Sequence, residues 1–125
     1  MTVSPRTPAR TSVPLHRLAR TIRSKNAGAH FYTLDIIFDE PETYEWVVET
    51  GIITRESIAA LYGIPVERIA EFVEYRPGNA IKISIRRAVS SGDVGESDVY
   101  GCQQYVPLLD IQIPWEGEVP HEPDT

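Results

Sequence analysis

The feature that most constrains the fold is a segment, residues 80–87, in which apolar and polar side chains alternate strictly. Three isoleucines share one face and three polar residues share the other: Ile81, Ile83 and Ile85 against Lys82, Ser84 and Arg86. Such alternation is typical of a β-strand with one buried and one exposed face. A turn-rich quartet, residues 76–79, precedes this strand, and β-forming residues 72–75 precede the quartet. The region therefore predicts a β-hairpin.

Two short helices are predicted ahead of the hairpin. The first begins at Pro41, a residue favoured in the first helical turn, and ends at Gly51. The second follows Thr54, a good N-cap, and ends at Gly63. Apolar side chains at helical spacing give each helix a face to bury. These are Tyr44, Val47 and Val48 in the first helix and Ile58, Leu61 and Tyr62 in the second.

The remaining apolar runs predict two further strands. Residues 31–38 are typical of an interior strand, and residues 106–113 predict a last strand at a sheet edge, where Pro107 is tolerated. The order of these elements favours an α+β fold: a single antiparallel or mixed sheet with two or three helices packed on one face. We expect the isoleucine face to contact Val47, Val48, Ile58 and Leu61.

Composition and charge predict one folded domain between two tails. We expect residues 15–113 to form that domain, between a disordered N-terminal arm at 1–14 and an acidic, proline-rich tail at 114–125. The net charge is −6, which argues against a nucleic-acid partner. No apolar run is long enough to cross a membrane, and the single Cys102 excludes an internal disulfide. We expect a cytoplasmic protein.

The candidate functional segment is residues 23–28, predicted as a loop that leads into the first core strand. Arg23 offers a planar fork for a carboxylate, and Lys25 adds a point charge. The amide of Asn26 can read a hydroxyl or carbonyl group, while Ser24 and the backbone near Gly28 can complete an anion-binding nest. The alternative is a basic surface loop whose glycine serves only a turn. Arg86, at the end of the alternating strand, is a further candidate.

Two residues beside this segment are candidates for acid or base chemistry. Asp35 lies within an apolar strand, so its carboxylate must be paired or face a site. A structural ion pair and a catalytic carboxylate are both consistent with that position. His30 borders the basic segment, and its imidazole is a candidate acid or base. The three histidines show no paired spacing, so we expect no metal site.

A second polar cluster precedes the last predicted strand. It contains Asp98, Tyr100, Gln103 and Gln104, which either tie loops together or complete a ligand pocket. Cys102 has no histidine near it in the sequence, so we expect a packed thiol. We expect no cofactor.

Several of these motifs resemble a known family. The runs RSKNAG, TLDIIFD, ALYGIP, AIKISIRR and SDVYGCQQYVPLLDIQI are similar to a small uncharacterised family often encoded next to acyclic terpene utilisation (AtuA-like) proteins. They are also similar to the small C-terminal domain of AtuA-like proteins, although Lys25-Asn26-Ala27 stand where acids are usual. The resemblance implies a small α+β subunit that works with a larger AtuA-like chain on carboxylic acids or acyl thioesters.

The leading hypothesis is therefore an accessory subunit of a heteromeric enzyme. The basic segment would hold a carboxylate or thioester, and the second polar cluster would complete the pocket. Hydration, dehydration or isomerisation of an organic acid fits such a site, which would make the assembly a lyase or an isomerase. The alternative is a homo-oligomeric binding or scaffold module without turnover. Either hypothesis predicts an oligomer.

Overall fold

The computed structural model describes residues 11–28, 30–87 and 104–121. Six strands and three α-helices lie within these ranges. In chain order they are β1 (Thr11–Pro14), β2 (Thr21–Asn26), β3 (Phe31–Ile37), α1 (Pro41–Thr50), α2 (Arg55–Tyr62), β4 (Ile69–Tyr75), β5 (Ala80–Arg86), α3 (Val106–Leu109) and β6 (Gln112–Trp115). The predicted α+β class is confirmed. None of the helices in these ranges has the length and apolarity needed to span a bilayer.

A four-stranded antiparallel sheet in the order β2-β3-β5-β4 forms the centre of the fold. The predicted hairpin is confirmed as β4 and β5, joined by a tight turn in which Asn79 adopts φ 51°. Ile81, Ile83 and Ile85 are buried, as the alternation predicts. They belong to one core cluster with Leu34 of β3 and side chains of the helices. The other face of the sheet, called here the open face, carries the polar residues of β5.

The two predicted helices, α1 and α2, begin and end where the sequence predicts. Pro41 opens α1, and Gly51 ends it in a left-handed conformation. At the start of α2, the Thr54 hydroxyl accepts a hydrogen bond from Ser57 N at 2.9 Å, and Thr54 N donates to Ser57 Oγ. Val47 and Ile58 are fully buried in the core. Leu61 is 42% exposed and lies outside the core cluster, contrary to the prediction that it packs on the isoleucine face, whereas Ala59 of α2 is buried in that cluster.

A second, two-stranded sheet was not predicted. Strands β1 and β6 pair in antiparallel fashion, with Val13 opposite Ile113. The strand expected over residues 106–113 is wrong in its first half, which forms α3. Pro107 suits the first turn of a helix because its missing N–H would have no intrahelical partner there. Residues 11–14 of the expected arm form β1, whereas residues 1–10 and 122–125 lie outside the described ranges.

The basic segment is a strand rather than the predicted loop. Residues 23–26 belong to β2, which pairs with β3 along its whole length. Only residues near Gly28, which has φ 89°, form a turn. Strand β2 lies at the edge of the sheet, and one of its faces is polar and exposed to solvent. Its side chains therefore do not show the apolar alternation from which a strand is predicted.

Candidate functional site

Strand geometry divides the predicted basic cluster into two groups. Successive side chains of a strand point to opposite faces of the sheet. Arg23 and Lys25 line a groove on the open face. Ser24 and Asn26 project to the other face, where Ser24 Oγ accepts a hydrogen bond from Tyr105 N at 3.2 Å. The four side chains therefore cannot act on one ligand together.

Asp35 lies at the centre of the groove and joins two neighbouring strands. Asp35 is only 5% exposed, and each of its two carboxylate oxygens faces a cation. Arg23 Nε lies 3.0 Å from Asp35 Oδ2, and Lys82 Nζ lies 3.2 Å from Asp35 Oδ1. The three residues form one cross-strand row, since Asp35 is directly opposite Arg23 on β2 and Lys82 on β5. A buried carboxylate is tolerated because it is paired in this way.

The groove has a volume of about 200 Å³ and a surplus of positive charge. Three cations and two carboxylates line it, together with two hydroxyl groups and Ile83, whose side chain points to the core on the other face. These residues are Arg23, Lys25, Lys82, Asp35, Glu71, Thr33, Ser84 and Ile83. The side chains of Arg23 and Lys82 are 56% and 51% exposed, so both reach from the buried carboxylate into solvent.

Several donors in the groove have no partner among the residues that the structure describes. Arg23 uses Nε for Asp35, and its terminal nitrogens make no hydrogen bond to any residue that the structure describes. Lys25 likewise forms no ion pair with the described residues. The hydroxyl of Thr33 is buried and has no hydrogen-bond partner in the described part of the chain. Such a set of donors can bind an anion.

The sequence did not identify Lys82, Thr33 or Glu71 as site residues. Lys82 belongs to the polar face of the alternating strand, so its orientation was predicted correctly. Its place beside Asp35 depends on the register between β3 and β5, which is a long-range property. Only the register between β3 and β5 could have identified Lys82, because this register places Lys82 opposite Asp35, the only acid in β3.

Arg86 and Arg87 separate onto the two faces, as strand geometry requires. Arg86 is on the open face, with its guanidinium 5.6 Å from the centre of the Phe31 ring. Arg87 is buried, lies 5.3 Å from the Tyr32 ring centre and donates a hydrogen bond to Asn26 Oδ1. Arg86 is not among the groove's lining residues. No pattern in the sequence indicates that Arg87 is buried.

The other predicted site residues lie apart from the groove or outside the described ranges. His30 is exposed, and its carbonyl oxygen accepts a hydrogen bond from Arg87 N at 2.7 Å. Gly28 forms the turn between β2 and β3. The carbonyl of Gln104 accepts a hydrogen bond from the Tyr62 hydroxyl. Asp98, Tyr100 and Gln103, together with Cys102, fall outside the residues that the structure describes.

The phenol of Tyr62 is a largely buried titratable group at the end of α2. Burial raises its pKa well above the usual value, and the neighbouring Tyr32 adds to the shift. The hydrogen bond to Gln104 requires the protonated phenol as donor. Tyr62 is therefore a structural contact between α2 and the segment that precedes α3.

A larger cleft, of about 550 Å³, lies between the segment before β2, α3 and the chain near His121. Its charged lining groups, Arg20 and Asp110, balance each other, so it lacks the surplus cations of the groove. His121 Nε2 is 3.2 Å from Asp39 Oδ2, but at an angle that does not form a hydrogen bond. Within the described ranges, no group of three or more His, Cys, Asp or Glu residues could hold a metal ion.

Comparison with known proteins gives the family of the chain. No curated protein matches it, and no solved structure does. Residues 15–112 match the family described as a domain of unknown function, DUF4387. The matched region runs from the 3₁₀ turn before β2 to the start of β6 and includes the whole four-stranded sheet. Because the match covers most of the chain, this protein belongs to the DUF4387 family.

Proposed function

We propose that this chain is a small accessory subunit that holds the carboxylate or thioester end of an organic acid in the open-face groove. The observation that carries the proposal is the row Arg23–Asp35–Lys82. One buried carboxylate orients two cations whose remaining donors face solvent. Lys25, one row along β2, supplies a third positive charge.

The row suits anion binding because its geometry is set before a ligand arrives. Arg23 is held through Nε, which leaves the two terminal nitrogens to form a bidentate contact with a carboxylate. Lys82 uses one of its three donors for Asp35. With Asp35 offsetting one of the cations, the groove still attracts an anion, and fewer side-chain rotamers are immobilised on binding.

The reaction class follows from what such a groove supplies. Hydration, dehydration and isomerisation of an organic acid each need a group that binds the carboxylate and a group that transfers a proton. The groove provides the group that binds the carboxylate, and a partner chain docked on the open face would provide the group that transfers the proton. We propose a larger AtuA-like chain as that partner, on the basis of the sequence motifs, and a lyase or isomerase as the assembled enzyme.

The partner is tested by co-purification from cells that produce this chain with a tag, followed by mass spectrometry. Recovery of a larger AtuA-like chain in stoichiometric amount is the expected result. The double variant Arg23→Ala/Lys25→Ala should abolish the activity of the complex with an unchanged far-ultraviolet circular dichroism spectrum. Arg76→Ala is the matched control, since it removes the same kind of charge from a residue paired with Glu45, away from the groove. Full activity in the double variant would contradict the proposal.

The second candidate is a homo-oligomeric binding module without turnover. The observation that favours it is apolar surface beside the groove: Val73, opposite Lys82, and Tyr75 are 41% and 47% exposed. Both belong to β4, an edge strand able to pair with another chain. Sedimentation equilibrium of the purified chain distinguishes the two. A stable symmetric oligomer that binds no larger chain supports the module, and a monomer that assembles only with a larger chain supports the accessory subunit.

A further inference from the structure

We propose that the groove selects hydroxy-carboxylates, with Thr33 and Glu71 reading the hydroxyl group of the acid. This inference rests on the proposed function, because it names the class of carboxylate that the same groove takes. Two cross-strand rows line the groove. The Arg23–Asp35–Lys82 row forms its cationic end, and the next row, in which Lys25, Thr33, Ser84 and Glu71 lie side by side, forms the end that carries the hydroxyl groups.

The buried hydroxyl of Thr33 is the first observation behind the inference. Its Oγ1 is inaccessible to solvent and makes no hydrogen bond within the described residues. A buried polar atom without a partner costs free energy, and nearly all such atoms in native proteins are satisfied. Thr33 lines the groove and lies opposite Lys25 on β2 and Ser84 on β5. A small turn of the Thr33 side chain would bring this hydroxyl into the groove, where a ligand hydroxyl would supply the missing partner.

The second observation concerns Glu71, whose carboxylate is not paired with a cation of the described residues as that of Asp35 is. Both oxygens of Asp35 are occupied by cations. Glu71 has no cation within ion-pair distance among the described residues, and its contact with the Ser84 hydroxyl is long, at 3.5 Å. Among the described residues, its carboxylate is thus the one in the groove without a cation, and it can accept a hydrogen bond from a ligand O–H.

The spacing of the two ends suits a small molecule. Thr33 and Asp35 are two residues apart on β3, which places their rows about 7 Å apart along the strand. A ligand that bridges the two rows, with hydrogen bonds of about 2.8 Å that slant towards each other, places its carboxylate and its hydroxyl a few bond lengths apart. An acid of about four carbons with a hydroxyl near its carboxylate fits this interval and the groove volume of about 200 Å³.

The test is a calorimetric titration of the whole chain with butyrate, 2-hydroxybutyrate and 3-hydroxybutyrate at one ionic strength. At least one hydroxybutyrate should bind about three- to tenfold more tightly than butyrate, the factor expected for one added hydrogen bond. Thr33→Val replaces the hydroxyl by a methyl group of similar shape and should remove the preference without weakening butyrate binding. Glu71→Gln should reduce the preference, and Thr33→Ser should retain it.

The outcomes separate the inference from the proposed function. Equal affinity for all three acids would overturn the inference and leave the carboxylate site in place. Failure of all three to bind would contradict both proposals. A preference that survives both Thr33→Val and Glu71→Gln would overturn the assignment of these residues. The thermal midpoint of each variant is measured alongside, and Thr33→Ser provides the folded comparison if Thr33→Val is unstable.

Discussion

Asp35 lies directly opposite Lys82 on the neighbouring strand, and its Oδ1 is 3.2 Å from Lys82 Nζ. Arg23 approaches the other oxygen from β2, at 3.0 Å. One buried carboxylate therefore connects three adjacent strands and fixes the direction of two cations. Removing it would leave those cations close together with no negative charge between them.

Asp35→Asn should lower the free energy of unfolding by about 2 kcal/mol, because the buried amide cannot neutralise both cations. Urea denaturation measures this directly. The control is Asp39→Asn, since Asp39 is 40% exposed and contacts Arg20 and His121 near the surface. That change should cost about 0.5 kcal/mol or less. Equal costs for the two variants would show that the row contributes nothing special to stability.

Alanine substitutions at two neighbouring positions of β2 should affect different properties, one of them ligand binding and the other stability. Lys25→Ala should weaken carboxylate binding about tenfold and leave stability within about 0.5 kcal/mol, because Lys25 is exposed on the open face. Ser24→Ala should leave binding unchanged and cost about 1 kcal/mol, because Ser24 Oγ accepts the hydrogen bond from Tyr105 N. Titration calorimetry and urea denaturation give the two readouts. Loss of binding in Ser24→Ala would contradict the division of the strand into two faces.

The turn after α2 gives a prediction about stability alone. Gly63 has φ 66°, and no atom lies within 4 Å of the position that a Cβ would occupy. Gly63→Ala should therefore cost about 1 kcal/mol through backbone strain and not through a steric clash. Gly63→Asn should cost less, because asparagine tolerates the left-handed conformation better. Thermal unfolding of the two variants checks the order, and an alanine variant as stable as the parent chain would refute it.

Tyr62 predicts how stability changes at alkaline pH. Burial raises its pKa in the folded chain above the value of about 10 in the unfolded chain. The folded state therefore favours the neutral phenol, and this contribution is complete below about pH 10 and is lost as the pH rises further. Tyr62→Phe should cost about 1 kcal/mol at neutral pH through the lost hydrogen bond to Gln104. Above about pH 10 the stability of the variant should fall less steeply than that of the parent chain. Parallel urea-denaturation curves across this range would contradict the assignment.

Local sequence signals predicted much of the fold. The hairpin, strand β3 and the limits of α1 and α2 depend on alternation, proline, an N-cap and two terminal glycines, all of which act over a few residues. The pairing of β1 with β6 joins residues about 100 positions apart and leaves no such signal. Strand β2 was also missed, because an edge strand without apolar alternation is indistinguishable from a polar loop by pattern alone.

The same limit explains which parts of the groove were found. Arg23, Lys25 and Asp35 were identified from residue type and proximity in the sequence. Ser24 and Asn26 were assigned to the same site because a loop imposes no alternation, whereas β2 directs them to the other face. Lys82, Thr33 and Glu71 enter the groove through the registers of three strand pairs, which no single segment of sequence specifies.

The measurement that tests the carboxylate site most directly is a titration of the ¹⁵N-labelled chain with 3-hydroxybutyrate, followed by amide chemical shifts. The account predicts saturable shifts concentrated at Arg23, Lys25, Thr33 and Ser84, and their loss in Arg23→Ala but not in Arg76→Ala. Shifts confined to residues of the larger cleft, such as Leu109 and His121, or the absence of saturable shifts, would contradict it.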